Sequence, residues 1–166
     1  TINWNDVFRN GSYFITANLS DDVNKVVKYD GSVSYGAGIN SSLPGLSTNS
    51  IFGYKANGYF TTAEEVQNTP RRTPNTGIGD IKLIDINGDG LINEGINTAD
   101  NHGDLVYLGN TNPRYVFGLN GGFNWKGFDF SVLFNGVGKR SILIEPYAAI
   151  AFYDGWRLPW AIHQDY

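Results

Sequence analysis

The chain has 166 residues, 41% of them hydrophobic, enough for one globular domain. Its formal charge of −4 offers no basic face, so no nucleic-acid partner is expected. Cysteine is absent, which excludes a disulfide framework, thiolate chemistry and a Cys-based zinc site. No apolar run reaches the length of about 18 residues that a transmembrane helix needs, although a transmembrane β-barrel needs no such run. Twenty-one glycines with ten Tyr and ten Phe suit an all-β protein. Methionine is also absent and the chain opens at Thr1 without a signal peptide, which reads as a processed product or, better, as a segment of something longer.

Taken in order, Ile2, Trp4 and Asp6 alternate with Asn3, Asn5 and Val7, a short strand. Arg9-Asn10-Gly11 carries an Asn-Gly turn signal. Tyr13, Ile15, Ala17 and Leu19 then alternate with Ser12, Thr16, Asn18 and Ser20, and the pattern extends through Val23, Lys25 and Val27 to Tyr29. The first hairpin is therefore expected over 2–29. A connection of roughly 84 residues follows, 30–113, punctuated by Gly36, Gly38, Pro44, Gly45, Pro70 and Pro74. Short strands are expected inside it at Ile51–Tyr54 and Asp80–Ile84. Ala63–Gln67 is expected as one helical turn capped by Thr62.

The second hairpin, 114–137, carries the strongest pattern. Tyr115, Phe117, Leu119, Gly121, Phe123 and Trp125 fall on one face; Val116, Gly118, Asn120, Gly122 and Asn124 fall on the other. After a Lys126-Gly127 turn, Phe128, Phe130, Val132 and Phe134 return on the first face, and Asp129, Ser131, Leu133 and Asn135 on the second. Soluble strands usually run about 5–6 residues. These arms run roughly 10–12, which at ~3.3 Å per residue and a tilt near 40° spans ~25–30 Å, the height of an outer-membrane barrel's apolar band. The aromatic face would meet lipid and the Gly/Asn/Ser face a wet lumen. The competing reading buries the aromatic face in a soluble sandwich. The last segment, 138–166, reads as another long loop. Four strands cannot close a barrel, and an isolated sheet would leave edges that lipid does not tolerate.

The sharpest chemical motif is Asp85-Ile86-Asn87-Gly88-Asp89-Gly90-Leu91-Ile92-Asn93, the first half of a calcium loop of the form D-x-N-x-D-G. Asp85, Asn87, Asp89 and Asn93 would supply side-chain oxygens, and Leu91 its carbonyl. The twelfth position is Ile96, which cannot ligate, so Asp100 or Asp104 would have to close the site. A structural Ca2+ is the expected role; the alternative is turn chemistry alone.

Other signals carry less. Gly136-Val137-Gly138-Lys139 lacks the leading glycine of a phosphate loop, since Leu133 stands there. His102 and His163 lie far apart in different loops and read as solvated. Glu64-Glu65 reads as a solvated turn. The N-x-S triplets at Asn10, Asn18 and Asn40 matter only in a glycosylating host. No nucleophile elbow or paired carboxylates appear, so no enzymatic activity is expected. Tyr147, Trp156 and Trp160 would line a sugar-stacking surface if they do not simply pack the loop.

Several runs together resemble a known family. They are Asn24-Lys25-Val26, Ser50 through Phe60, Gly79-Asp80-Ile81-Lys82 leading into the Asp85 motif, Gly109 through Tyr115, Gly118-Leu119-Asn120, Lys126 through Asp129, and Phe134 through Arg140. In order and spacing they are similar to the C-terminal third of SusC/RagA-type TonB-dependent outer-membrane transporters. An insertion after Asn93 departs from that pattern and puts the last cation ligand in doubt. The resemblance implies a 22-stranded transmembrane barrel of which this chain supplies about four strands, with 30–113 and 138–166 as extracellular loops. It implies a location in the bacterial outer membrane and import of oligosaccharide or peptide cargo under a SusD-like surface lipoprotein. The plug and the segment that contacts TonB would lie in an N-terminal part outside this chain. The competing class is a soluble, secreted, calcium-stiffened β-sandwich that binds carbohydrate. It would need Phe117, Phe130 and Phe134 buried within the chain.

Overall fold

The computed structural model describes residues 1–144. It is all-β with antiparallel sheets and a single short helix among the described residues. Two regions differ in kind: a four-stranded sheet of long strands, and a cored module built from the long connection.

The long sheet contains β1 (Ile2–Phe8), β2 (Gly11–Ser20), β8 (Arg114–Trp125) and β9 (Phe128–Lys139), in the order β1-β2-β8-β9. It is an up-and-down meander whose neighbours are all antiparallel. The register keeps the two faces separate: Tyr13 pairs with Phe123 and Phe123 with Phe130, Ala17 with Leu119 and Leu119 with Phe134. One turn residue pair joins each hairpin. At Lys126-Gly127 both residues take positive φ, 50° and 84°, so the turn's twist matches that of its strands. The Lys126 amide donates to the Asn10 carbonyl at 3.2 Å, so both short turns sit at the same end of the sheet. At the opposite end Ser20 pairs with Val116, and the long connection leaves and returns between neighbours.

The first hairpin ends at Ser20, short of the expected Tyr29. The alternation of Val23, Lys25 and Val27 does not extend the sheet because the backbone there bonds to the connection instead. Val26 donates to the Leu46 carbonyl and Gly45 to the Val26 carbonyl, both at 2.8 Å. The Asn24 carbonyl accepts from Ser47 Oγ, and its side-chain oxygen accepts from the Thr48 amide.

The connection is a small folded module. It holds β3 (Gly38–Asn40), β4 (Ser50–Gly53), β5 (Ala56–Tyr59), α1 (Ala63–Asn68), β6 (Ile81–Leu83) and β7 (Val106–Asn110). These form a three-stranded sheet, β3-β4-β7, and a two-stranded ribbon, β5-β6. The expected strands at Ile51–Tyr54 and Asp80–Ile84 and the expected helical turn are present with slightly shifted ends; β3, β5 and β7 were not anticipated. Tyr35, Leu43, Phe52 and Leu105 form the core, with Val33, Leu46 and Tyr54 packed against it. Tyr35 meets Phe52 edge-on at 5.6 Å between ring centres. His102 is no solvated loop histidine: it stacks on Tyr35 at 5.8 Å, at the edge of this core. His163 lies outside the described residues.

The helix start follows its sequence signal. Thr62 Oγ1 accepts the Glu65 amide at 3.1 Å, and Glu65 reaches back to the Thr61 amide and hydroxyl, each at 2.9 Å. Glu65 also takes Lys82 of β6 at 2.8 Å, which ties helix to ribbon. Glu64 stays exposed in the first turn as expected, but Glu65 is a clamp.

Candidate membrane-facing surface and candidate cation loop

The long sheet's first face gathers apolar side chains from all four strands. Ile2, Trp4 and Phe8 come from β1; Tyr13, Ile15, Ala17 and Leu19 from β2; Phe117, Leu119, Phe123 and Trp125 from β8; Phe128, Phe130, Val132 and Phe134 from β9. None of these is buried among the described residues. Phe117, Phe130 and Phe134 are 42%, 56% and 58% exposed. An exposed patch this large on a monomer in water is a liability, and marks a surface that meets something apolar. The burial that the soluble sandwich requires is not met among the described residues.

Aromatic residues concentrate toward the short-turn end. There Trp4 Nε1 donates to the Tyr13 hydroxyl at 3.1 Å, and Phe123 and Phe130 lie 5.6 Å apart. Lys126 sits over the Trp125 ring at 5.1 Å. Rings with a polar tip, followed by a charged residue, are what the boundary between apolar band and water selects. Asp6 is the one charge on this face. It pairs with Tyr13 within two positions of the turn, at the level of these rings, and accepts the Val7 amide at 2.8 Å.

The opposite face is mostly polar: Asn3, Asn5, Ser12, Thr16, Asn18, Asn120, Asn124, Asp129, Ser131 and Asn135. Asn124 donates to Asp129 at 2.7 Å across the β8–β9 ladder. Gly118 leaves the room in which the Asn18 and Asn135 amides approach, since a Cβ there would lie 2.8 and 2.9 Å from them. Phe14 interrupts the polar face but lies over Gly122, where a Cβ would meet its ring at 2.7 Å. The glycine is thus a seat for the ring.

At the far end the long sheet is tied to the module. Arg114 Nε and Nη2 both donate to the Asp21 carboxylate, the latter at 2.6 Å. That guanidinium holds the Asp21 carboxyl below its usual range. Arg140 Nε donates to the Thr111 carbonyl at 3.0 Å, and the Ser141 amide to the Asn110 carbonyl at 2.9 Å.

The Asp85 motif folds as an exposed loop with Gly88 and Gly90 at φ 74° and 80°. Its side chains turn inward onto its own backbone. Asp85 accepts the Gly88 and Gly90 amides at 2.6 and 2.8 Å, Asn87 accepts Asp89, Asp89 accepts Leu91, and Asn93 accepts Gly95. A carboxylate oxygen that accepts one N–H keeps a lone pair, so Asp85, Asn87 and Asp89 retain donor capacity for a hard cation. Leu91 is exposed and Ile92 is buried beneath the loop.

The second half is different. Asp100 is exposed and bonds to none of these residues. Asp104 is fully buried, and its two oxygens accept the Ile86 and Asn93 amides at 2.8 and 2.9 Å. It is the residue that closes the loop, from inside the module. Among the described residues no group of three or more acidic or histidine side chains is drawn together as a metal cage. The donor set thus fits a cation in its first half and lacks a closing carboxylate. The sequence pointed to Asp104 only as a spare ligand; its burial under the loop carried no sequence signal. Tyr147, Trp156 and Trp160 lie outside the described residues.

No family model matches the chain. It is similar to a TonB-dependent receptor, P26, of Formosa agariphila, with 32% identity over 102 residues. The match covers 61% of this chain and 9% of that receptor, so the chain spans a small part of its relative. No described helix is long and apolar enough to cross a membrane.

Proposed function

We propose that this chain forms part of the barrel wall and extracellular loops of a TonB-dependent nutrient importer in a bacterial outer membrane. The observation that carries this reading is the continuous apolar face of the β1-β2-β8-β9 sheet, exposed across four long antiparallel strands. At ~3.3 Å per residue, the 12-residue strands β8 and β9 rise ~30 Å when tilted near 40°, enough for an apolar band of ~25 Å. The short turns at one end and the folded connection at the other match the habit of such barrels. The similarity to the receptor of Formosa agariphila points the same way.

In this reading β1 and β9 each pair with further strands of a closed barrel, of SusC/RagA type and 22 strands. The apolar face meets outer-membrane lipid and the polar face lines the lumen. The module 21–113 stands outside the cell, where a SusD-like lipoprotein covers the entrance. Cargo is oligosaccharide or peptide, and TonB engages a part of the importer beyond this chain. The chain contributes no catalytic step. The Asp85–Asn93 loop takes a structural calcium ion through Asp85, Asn87, Asp89, Asn93 and the Leu91 carbonyl. Because Asp104 is committed to the Ile86 and Asn93 amides, the exposed Asp100 would have to move in for the site to gain a closing carboxylate.

Fractionation tests this directly. An antibody to the module should find the protein in the outer membrane, extracted only by detergent. Recovery in the soluble secreted fraction would overturn the reading.

A further inference from the structure

The chain holds five Asn-Gly pairs: Asn10–Gly11, Asn57–Gly58, Asn87–Gly88, Asn120–Gly121 and Asn135–Gly136. Asparagine before glycine is chemically labile because no Cβ shields the glycine nitrogen. That nitrogen attacks the Asn Cγ, the new C–N bond closes a succinimide, and the Cγ–Nδ2 bond breaks to release ammonia. Water then opens the ring to aspartate or isoaspartate, so the net change is amide plus water to acid plus ammonia. The step needs three freedoms: an unheld side-chain amide, an accessible glycine nitrogen, and a backbone able to rotate.

Four of the five pairs each lack at least one of them. Gly121 lies inside the long sheet between Ile15 and Val132, and Gly136 opposite Phe117 with that ring over it. Gly11 is fixed between Phe8 and Trp125, its Cα against the Asn124 carbonyl, and the Asn10 carbonyl accepts the Lys126 amide. Asn87 is held on both sides. Its oxygen accepts the Asp89 amide, its nitrogen donates to Asp89 Oδ2 at 2.9 Å, and the Gly88 amide, which would be the nucleophile, donates to Asp85 at 2.6 Å.

Asn57–Gly58 combines all three. The register of the β5–β6 ribbon shifts between Ala56 and Tyr59, which leaves Asn57 and Gly58 without ladder partners of their own. All four residues of β5 are exposed. The Asn57 side chain makes no hydrogen bond among the described residues. Gly58 takes φ 76°, and a Cβ there would meet nothing, so no neighbour packs against the backbone. A two-stranded ribbon also opens more readily than the interior of a four-stranded sheet.

We propose that Asn57 is the spontaneous deamidation and isoaspartate site of this protein, and that the Asp85 clamp protects Asn87. The isoaspartyl product adds a methylene to the backbone of a ribbon whose pairing is already irregular there. It also places a new negative charge opposite the strand that carries Lys82. The inference holds whether or not the chain lies in a membrane.

The test is peptide mapping of the intact, detergent-purified protein after incubation at mildly alkaline pH, with isoaspartate assigned by fragmentation. The same chain unfolded in denaturant serves as reference. Asn57 should deamidate at least about tenfold faster than the other four when folded, because each must first break hydrogen bonds or ladder pairing. In denaturant the five should converge to similar rates. Asn57→Gln should remove the leading product, and Asp85→Ala should accelerate Asn87 while leaving Asn57 unchanged. Another of the five leading in the folded protein, or the same spread of rates folded and unfolded, would overturn the proposal.

Discussion

The long sheet and the connecting module are built on opposite principles. The sheet has long strands, continuous register and an organised apolar face, yet among the described residues only Gly118 is buried. The module has strands of three to five residues and irregular pairing, yet Leu43 and Leu105 at its centre are 1% and 0% exposed. A module with its own core is stabilised by water. A sheet without one needs an apolar cover on one side, which in the proposed reading is lipid.

The largest effects should separate the two regions. Leu105→Ala removes a fully buried side chain and should cost about 2–5 kcal/mol of module stability. Hydrogen exchange should then accelerate in β3, β4 and β7 while β8 and β9 stay protected. Loss of protection in all four long strands would show that the two regions fold as one. Next, Leu119→Arg places a charge mid-strand on the apolar face, and should cost about 2–4 kcal/mol for folding into a bilayer. Asn120→Arg, one residue on and on the opposite face, should be tolerated. Equal yields of folded protein from both variants would remove the distinction between the faces.

A smaller effect tests the loop closure. Asp104→Asn keeps the shape but leaves one of the Ile86 and Asn93 amides facing an NH2 group, for a loss of about 1–3 kcal/mol. Exchange at those two amides should rise first. For the calcium proposal, Asp89→Ala should abolish calcium-dependent protection of 85–93. Unchanged calcium binding and loop protection in that variant would refute a cation role for the motif.

The smallest effect is a pH dependence. Hydrogen bonds from Lys82, then from the Thr61 amide and hydroxyl, lower the Glu65 carboxyl to about 2. A depressed carboxylate contributes stability that is full above its unfolded value of 4.5 and is lost as pH falls through about 2. Protection of α1 should therefore weaken across that window, and Glu65→Gln should flatten the response. Thr62→Ala, which removes the cap, should cost about 1 kcal/mol at any pH.

The sequence made the sheet easy to read and the module hard. Period-two alternation in β8 and β9 needs only the order of side chains, and Lys126-Gly127 marks its own turn. The same rule misled beyond Ser20, where Val23, Lys25 and Val27 keep alternating but Val26 and Asn24 spend their hydrogen bonds on Leu46, Gly45, Ser47 and Thr48. Those partners are some twenty residues away, and no local pattern announces them. β7 was missed for a similar reason: a five-residue strand containing Gly109 exists because β4 is there to pair with it. The Asp85 loop was legible from its alternating oxygens and its glycines, whereas the role of Asp104 depends on the fold around it. His102 shows the same limit, since an isolated histidine in a polar stretch gives no sign that Tyr35 will stack on it.

The central claim is that one face of the long sheet meets lipid and the other water. The chain itself has no cysteine, so once any cysteine elsewhere in the membrane-inserted protein is replaced, single cysteines at 119, 120, 132 and 133 report each face without background. Leu133 makes the test independent of hydrophobicity, since it is an apolar residue on the polar face. The account predicts that a membrane-impermeant maleimide, added where it can reach the lumen, labels 120 and 133 and spares 119 and 132. Labelling of 119 and 132 as fast as 120 and 133 would contradict it.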